Sequence, residues 1–385
     1  MRFPWLTTPT GRHHVTRRSG EDAMAGVTEA KDLTAYPGRR KRLLSLGLRL
    51  GIIVAIAGGL LWSVASQWPA VQRTWLALSW QSMVLALLAV LCGMFANSMA
   101  WRAAARDLGH TVSIPDTMRI LMIGQLGKYI PGSFWAYVLQ VELGKRAGLP
   151  RARAFVATLV ALGLSIVAAL GLGLLSLPPL LRAATANDVE YAGSVRVALI
   201  IAATIFPIAV ICAIPRVLTR LTQVVLRILR RPPLEHVLTA SGVLRVIAWS
   251  TVGYVLFGVH LWLLANEQAA PGWGGLVRLI GSFAIAMTAG LFAFVSPSGL
   301  GVREAVLIAT LVPFLASSGG VGAAIAIALA SRLIFTLADL VGAGLAALSG
   351  VRVIRGAATR AADAVTPATR TSAEAGATTA SSPSP

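Results

Sequence analysis

Two short segments combine glycine, proline and charged side chains within a chain that is mainly apolar. The first reads Gly-Gln-Leu-Gly-Lys-Tyr-Ile-Pro-Gly-Ser-Phe-Trp over residues 124–135, and the second reads Ser-Pro-Ser-Gly-Leu-Gly-Val-Arg-Glu-Ala-Val-Leu over residues 296–307. Glycine lets backbones approach closely, and a break before a helix frees backbone N–H groups that can bind an anion. Because Lys128 and Arg303 lie beside these breaks, the two segments predict contacts to a phosphate group.

The elements around these segments are predicted to be membrane-spanning helices. Hydrophobic residues make up 56% of the chain and charged residues 13%, with a mean hydropathy of +0.73, whereas soluble proteins are roughly 25% charged. A helix needs about 20 apolar residues to cross a bilayer. Apolar runs of this order occupy residues 43–64, 81–101, 154–177, 195–215, 243–265, 276–295, 302–316 and 321–348. The sequence therefore predicts an all-α, polytopic membrane protein with about six full spans and two re-entrant helical hairpins.

The first hairpin is residues 117–143, an apolar stretch that is interrupted by charges and by a helix break. A charge at the bilayer centre costs about 2.5–3.5 kcal/mol on insertion scales, and a proline removes a backbone donor. A straight span is therefore unfavourable, and we expect a hairpin that enters and leaves on one side. Its interruptions are Gly127, Lys128, Pro131, Gly132 and Glu142.

The second hairpin is residues 276–316, where a break separates a full-length run from a run too short to span. The break contains Pro297, Ser298, Gly299 and Gly301, and Arg303 and Glu304 follow it. The two hairpins are predicted to enter from opposite faces, as in transporters with inverted repeats. No strong internal sequence repeat supports that symmetry.

Basic residues predict the orientation, because cytoplasmic loops are rich in Lys and Arg. The predicted outer side has only Arg73, Arg182, Arg196 and Arg278. Both termini are therefore expected in the cytoplasm of a cell-membrane protein. The predicted domains are a disordered tail over 1–38, the membrane domain over 39–350 and a disordered tail over 351–385.

Residues 216–231 predict an amphipathic helix with its arginines on one face. It either lies at the membrane interface with this face toward lipid phosphates, or packs on the protein's own cytoplasmic side.

Candidate site residues follow from the breaks and from charges within the spans. Predicted headgroup contacts are Lys128, Arg303, Glu304, Gln125, Tyr129 and Ser298, and predicted path-lining residues are Arg332, Asp339 and Glu142. Structural alternatives stay open for each group. Lys128 could extend to the interface, Arg303 and Glu304 could pair only to hold the hairpin, and Arg332 and Asp339 could bond neighbouring elements. Glu142 could pair with Lys145 or Arg146 at the interface.

No cofactor, metal or nucleic-acid site is predicted. The two cysteines, Cys92 and Cys212, lie in separate apolar runs, and His13 and His14 lie in a polar tail. The net charge of +19 comes from basic residues between apolar runs, which indicates topology and attraction to anionic lipid rather than a nucleic-acid surface. A convincing Ser, His and Asp set is also lacking, so catalysis has little support.

In these two motifs, GQLGKYIPGSFW and SPSGLGVREAVL, the sequence resembles the transmembrane region of lysylphosphatidylglycerol synthases, the flippase-like or YbhN-type (UPF0104) membrane family. The resemblance spans roughly residues 43–350. It implies a lipid translocator, and the aminoacyl transferase domain of the full-length synthases has no counterpart here, so no enzyme activity is carried over. The expected partners are membrane lipids, anionic or phosphate-bearing. The alternatives are a non-catalytic membrane subunit that serves a lipid-synthesis enzyme in a lipid-linked glycan or isoprenoid-lipid pathway, or a membrane transferase acting on lipid-linked sugars.

Overall fold

The described part of the chain is built from helices. The computed structural model describes residues 65–66, 68–129, 135–186, 192–233, 237–269, 272–292, 301–315 and 320–378, with side chains at the carboxyl end up to Ser349. No strand occurs within these ranges, and the predicted all-α fold is confirmed.

The helices follow one another with short connections. In chain order they are α1 (Trp68–Ala77), α2 (Trp80–Asp107), α3 (Ile114–Met118), α4 (Trp135–Arg146), α5 (Arg151–Ala186), α6 (Ala192–Ala213), α7 (Pro215–Ile228), α8 (Ala240–Ala269), α9 (Gly272–Phe292), α10 (Val302–Leu315) and α11 (Gly320–Thr378). A π-helical turn, Arg119–Ile123, follows α3, and a 3₁₀ turn, Leu126–Tyr129, precedes α4.

Five described helices are long and apolar enough to cross a membrane. These segments are Trp80–Asp107, Arg151–Ser176, Ala240–Asn266, Gly272–Phe292 and Gly320–Ser349, and a sixth arises if α6 and α7 are counted as one bent span. The chain is therefore a multi-pass membrane protein. The predicted apolar run 43–64 lies outside the described residues.

The spans pack around α8, whose Leu261 is fully buried among α2, α9 and α11. Small residues permit this close packing, as is usual between membrane helices. At Gly258, a Cβ atom would lie 2.4 Å from the Cα of Ile280 in α9. The core of the bundle thus fixes the spans that carry the polar residues described below.

The first hairpin folds back on itself through two glycines. A Cβ on Gly127 would lie 2.6 Å from the backbone nitrogen of Ala136, and a Cβ on Gly124 would lie 2.5 Å from Cγ of Gln140. The predicted close backbone approach is therefore present. Pro131 and Gly132 lie outside the described residues.

The residues that flank the first hairpin lie close together. His110 comes just before the hairpin and Arg153 just after it, and a side-chain nitrogen of each lies 3.1 Å from the other. The segments before and after the hairpin are therefore in contact with each other.

The second hairpin consists of α9 and the shorter helix α10, which pack together. The guanidinium of Arg278, in the second turn of α9, lies 5.3 Å from the ring centre of Phe314 near the end of α10. The two helices are therefore antiparallel. With 14 residues, α10 is about 21 Å long, whereas the hydrocarbon core is about 30 Å thick.

The last helix extends beyond the predicted membrane domain. The sequence placed a boundary at residue 350, whereas the backbone of α11 is helical to Thr378. The division into domains stays a prediction.

Candidate functional site

One face of α11 binds both hairpins. Arg332 and Asp339 are seven residues apart, so they lie two turns from each other on the same side of the helix. Within the candidate span Gly320–Ser349 they stand on either side of its midpoint. Asp339 contacts the first hairpin and Arg332 contacts the second.

Asp339 accepts both contacts from the first hairpin on one oxygen. Nζ of Lys128 lies 2.5 Å from its Oδ2, and the Tyr129 hydroxyl donates to the same oxygen at 2.7 Å. Lys128 is therefore paired within the protein, and the ion pair offsets part of the cost of burying the two charges. Lys128 and Asp339 were both predicted as site residues from the sequence, but their pairing was not predicted.

The second carboxylate oxygen of Asp339 is buried and unsatisfied. The residue is 1% exposed, and among the described residues Oδ1 has no hydrogen-bond partner. A buried acceptor without a donor is costly and uncommon in native proteins. Oδ1 is thus available to a donor from outside the described residues.

Glu304 organises the tip of the second hairpin with its two oxygens. Its Oε1 lies 2.6 Å from Nη1 of Arg332, and its Oε2 accepts the backbone N–H of Gly301 at 2.7 Å. The second bond is half of a capping box at the start of α10. Gly301 has φ of +89°, a conformation that glycine adopts without strain. The anion at this helix start is therefore the protein's own Glu304.

Arg303 is the cation of this site without a carboxylate partner. Among the described residues no carboxylate lies within 4 Å of it. Its Nη2 donates to Oγ of Ser331 at 3.3 Å, and its Cζ lies 4.5 Å from the ring centre of Phe335 and 5.0 Å from that of Phe283. These contacts are cation–π interactions, which attract a guanidinium without neutralising it.

His260 completes the site and was not anticipated from the sequence. Its Nε2 lies 2.9 Å from Oγ of Ser331, and its Nδ1 bonds the carbonyl of Phe257. A carbonyl only accepts, so in the neutral ring Nδ1 donates and Nε2 accepts the hydroxyl proton of Ser331. His260 and Ser331 are both fully buried, so this pair orients the hydroxyl that receives Arg303. The missed signal was a lone histidine within the apolar run 243–265.

We call these eight residues the polar cluster. Its members are Lys128, Tyr129, His260, Arg303, Glu304, Ser331, Arg332 and Asp339. Three of its side chains are cations and two are carboxylates, so the cluster has an excess of one positive charge when all five are ionised. The arrangement can attract a single anion and offers Arg303 as its donor.

Glu142 does not join the polar cluster. Its Oε2 lies 2.7 Å from Nη2 of Arg151, in an ion pair with 41% of the Glu142 side chain exposed. Hydrogen bonds from Arg151 lower the pKa of the Glu142 carboxyl, and the charges of Arg151, Lys145 and Arg146 lower it further. The pairing at the surface is of the kind expected from the sequence, with a different arginine.

Other predicted site residues are less informative. Gln125 is half-buried, one turn before Lys128 in the first hairpin. Ser298, Pro297 and Gly299 lie outside the described residues. Where the structure describes side chains, no group of three His, Cys, Asp or Glu residues could hold a metal ion.

Comparison with known proteins gives one family. No curated protein matches the chain significantly. The profile of the lysylphosphatidylglycerol synthase TM region matches residues 48–338, a range that includes both motifs and Arg332 and ends one residue before Asp339. Because the match covers more than half of the chain and confirms the resemblance of the two motifs, this protein belongs to the lysylphosphatidylglycerol synthase TM region family, and its function is related to membrane lipids.

Proposed function

We propose that this protein moves a lipid with a phosphate-bearing headgroup between the two leaflets of the cell membrane. The polar cluster receives the headgroup while the acyl chains stay in the bilayer. Both termini lie in the cytoplasm, as the distribution of Lys and Arg favours.

The observation that carries this proposal is that, among the described residues, Arg303 has no carboxylate within 4 Å. Arg303 is 7% exposed and lies at the tip of the second hairpin, beside the middle of α11. An unpaired cation inside a span is expensive, and such residues usually mark the route of an ion or substrate. A phosphodiester carries one negative charge, which matches the excess charge of the cluster.

The free oxygen of Asp339 supports a headgroup that also has a hydrogen-bond donor. Oδ1 is the acceptor that no described residue uses, and a hydroxyl or ammonium group would satisfy it. Arg303 and Asp339 belong to the same cluster, so one headgroup can present phosphate to the first and a donor to the second.

The route depends on two re-entrant hairpins, which we place on opposite sides of the membrane. Two observations support this placement: the residues that flank the first hairpin are in contact, and α10 is shorter than the hydrocarbon core is thick. Irregular backbone is tolerated at membrane depth where it is buried in protein or lines a wet cavity. The two tips then meet α11 near mid-depth, where a headgroup must pass. Movement is driven by a gradient, by a partner or by mass action.

The proposal is tested by lipid exchange in vesicles that contain the purified protein. The probe is phosphatidylglycerol with a nitrobenzoxadiazole-labelled acyl chain, and dithionite added outside reports the fraction of probe that reaches the outer leaflet. Arg303→Gln should slow exchange about tenfold, because hydrogen bonds to charged groups contribute about 1.5–3 kcal/mol. Arg278→Gln is the matched control, since Arg278 also lies against a phenylalanine ring but outside the polar cluster.

Three results would contradict translocation by this site. Wild-type vesicles could exchange the probe no faster than protein-free vesicles, or Arg303→Gln could exchange it at the wild-type rate. A change in the mass of the added lipid would instead favour the transferase alternative. Equal folding of both variants is checked by size-exclusion chromatography.

A further inference from the structure

The turn after α2 places His110 at the end of that helix. Gly109 has φ of +83°, which glycine adopts without strain, and the N–H of His110 donates to the carbonyl of Ala105 at 3.0 Å. This pattern is the Schellman motif that ends many helices. Leu108 and Val112 on either side are buried, so the turn is anchored and the half-buried imidazole of His110 has a defined position.

The Nδ1 atom of His110 lies between a hydrogen-bond donor and a hydrogen-bond acceptor. Nη1 of Arg153 in α5 is 3.1 Å away, and the carbonyl oxygen of Leu108 is 3.4 Å away. A guanidinium only donates and a carbonyl only accepts. Nδ1 can therefore bond one of these groups at a time, and the presence of a proton on Nδ1 decides which one.

Each protonation state of His110 favours a different partner. When the ring is neutral and its proton is on Nε2, Nδ1 accepts from Arg153, and this bond joins the segments before and after the first hairpin. When the ring is charged, Nδ1 carries a proton, so the bond is lost and two cations face each other. Nδ1 can then donate to Leu108, the C-cap of α2, where the helix dipole favours a cation.

The other charged residues on the helix ends that pack around this turn are engaged elsewhere or exposed. They are Arg102, Arg106 and Asp107 of α2, Asp116 of α3, Arg151 of α5, Arg227 of α7 and Arg245 of α8. Arg102 donates to the carbonyl of Val112, and Asp107 accepts from Thr239 at the start of α8. The acid of α3 and the arginine of α5 are in ion pairs, and the remaining arginines are exposed. Among the described residues, the charge that meets the ring at hydrogen-bond distance is therefore that of Arg153.

We propose that the contact between His110 and Arg153 is a pH-sensitive closure at the base of the first hairpin. Histidine changes its charge between pH 5 and 8. At the upper end of this range the bond to Arg153 holds the two flanking segments together. At the lower end Nδ1 turns to Leu108, and the flanking segments separate more readily. This property belongs to the hairpin itself and does not depend on lipid translocation.

The proposal is tested by hydrogen–deuterium exchange of the purified protein, read by mass spectrometry at pH 8 and at pH 5. His110→Asn is the matched variant, because its amide oxygen can accept from Arg153 but does not titrate. Wild type and variant are compared at the same pH, so the intrinsic effect of pH on amide exchange cancels.

The expected difference between wild type and His110→Asn appears only in acid. Over residues 108–118 and 147–154 the two proteins should exchange at the same rate at pH 8, and the wild type should exchange about threefold faster at pH 5. Equal rates at pH 5 would overturn the proposal. Failure of this test is distinct from failure of translocation, because no lipid movement is measured.

Substitution of Arg153 tests the other half of the contact. Arg153→Met removes the donor, so the same segments should exchange about threefold faster than in the wild type already at pH 8. Arg153→Lys keeps a cationic donor and should retain the wild-type response to pH. Arg151→Met is the control, since Arg151 lies two residues away and pairs with Glu142, and it should exchange as the wild type does. Wild-type exchange of Arg153→Met at pH 8 would also overturn the proposal.

Discussion

The ammonium group of Lys128 lies 2.5 Å from a carboxylate oxygen of Asp339, and this contact joins the first hairpin to the last span. The two residues come from distant parts of the chain, and Asp339 is almost completely buried. Each charge is therefore stabilised mainly by the other, and the pair makes the position of the hairpin sensitive to single substitutions.

Lys128→Met should destabilise the protein more than removal of both charges. The single variant leaves a buried carboxylate unpaired, for which the expected loss is about 3–5 kcal/mol. Lys128→Met with Asp339→Asn should recover most of this loss. Thermal unfolding in detergent, followed by size-exclusion chromatography, measures both. Arg151→Met is the control at a solvent-exposed pair and should change stability little. Equal stability of the single and double variants would contradict the proposed role of the pair.

Substitutions of Glu304 should separate its two bonds. Glu304→Gln loses the ion pair with Arg332 but keeps an oxygen that can accept the N–H of Gly301. Glu304→Ala loses both, so it should be less stable than the Gln variant by about 1 kcal/mol, the usual contribution of a helix cap. The same unfolding measurement compares them. If both variants unfold at one temperature, the cap contributes nothing.

Gly127→Ala should disrupt the first hairpin. The added Cβ would lie 2.6 Å from a backbone nitrogen of Ala136, and overpacking of this kind costs about 1–3 kcal/mol. Gly344→Ala adds the same atom where no neighbour lies within 4 Å, and it should be neutral or stabilising. The two variants are compared by unfolding temperature and by lipid exchange. A neutral effect of Gly127→Ala would mean that the hairpin is packed more loosely than described.

The ion pair of Glu142 and Arg151 predicts a small dependence of stability on pH. Hydrogen bonds from Arg151 lower the pKa of the Glu142 carboxyl below its ordinary value of 4.5. A lowered pKa contributes stability above that ordinary value, and the contribution is lost as the pH falls through the pKa of the folded protein. The difference in unfolding temperature between the wild type and Glu142→Gln should therefore shrink below pH 4.5 and at high salt. A difference that grows on acidification would reverse the sign of the effect.

Thiol labelling tests the re-entrant topology directly. In a background with Cys92→Ser and Cys212→Ser, Ser113→Cys and Arg146→Cys flank the first hairpin at exposed positions. An impermeant maleimide applied to intact cells should label neither until the membrane is opened. Trp273→Cys, at the exposed start of α9, should be labelled at once. Labelling of Ser113→Cys and Arg146→Cys from opposite sides would show that residues 117–143 cross the membrane.

Local patterns in the sequence predicted much of the fold. Apolar runs indicated the spans, and the glycines of 124–135 indicated a close turn that the structure places against Ala136. Arg332 and Asp339 were identified because charges inside an apolar run are expensive and rarely lack a role. The spacing of seven residues also predicted correctly that both lie on one face of α11.

The partners of these charges were not predictable from the sequence. Lys128 and Asp339 meet only because the bundle brings the first hairpin against α11, and no local pattern encodes that contact. Glu142 was predicted to line the lipid path, because its contact with Arg151 also depends on how the helices pack. In the structure Arg151 holds Glu142 at the surface. Ser331 was overlooked because a single hydroxyl in a span usually bonds its own helix backbone, whereas here it receives Arg303.

The two hairpins differ in how their bonds to the last span are distributed over its side chains. In the second hairpin Glu304 pairs with Arg332 and Arg303 donates to Ser331, so sliding α10 along α11 strains two separate connections at once. Lys128 and Tyr129 instead converge on Oδ2 of Asp339. A competitor for that one oxygen, such as a cationic or hydroxylated lipid, would release both residues in a single event. We therefore expect the first hairpin to act as the mobile gate and the second as the fixed wall of any lipid path.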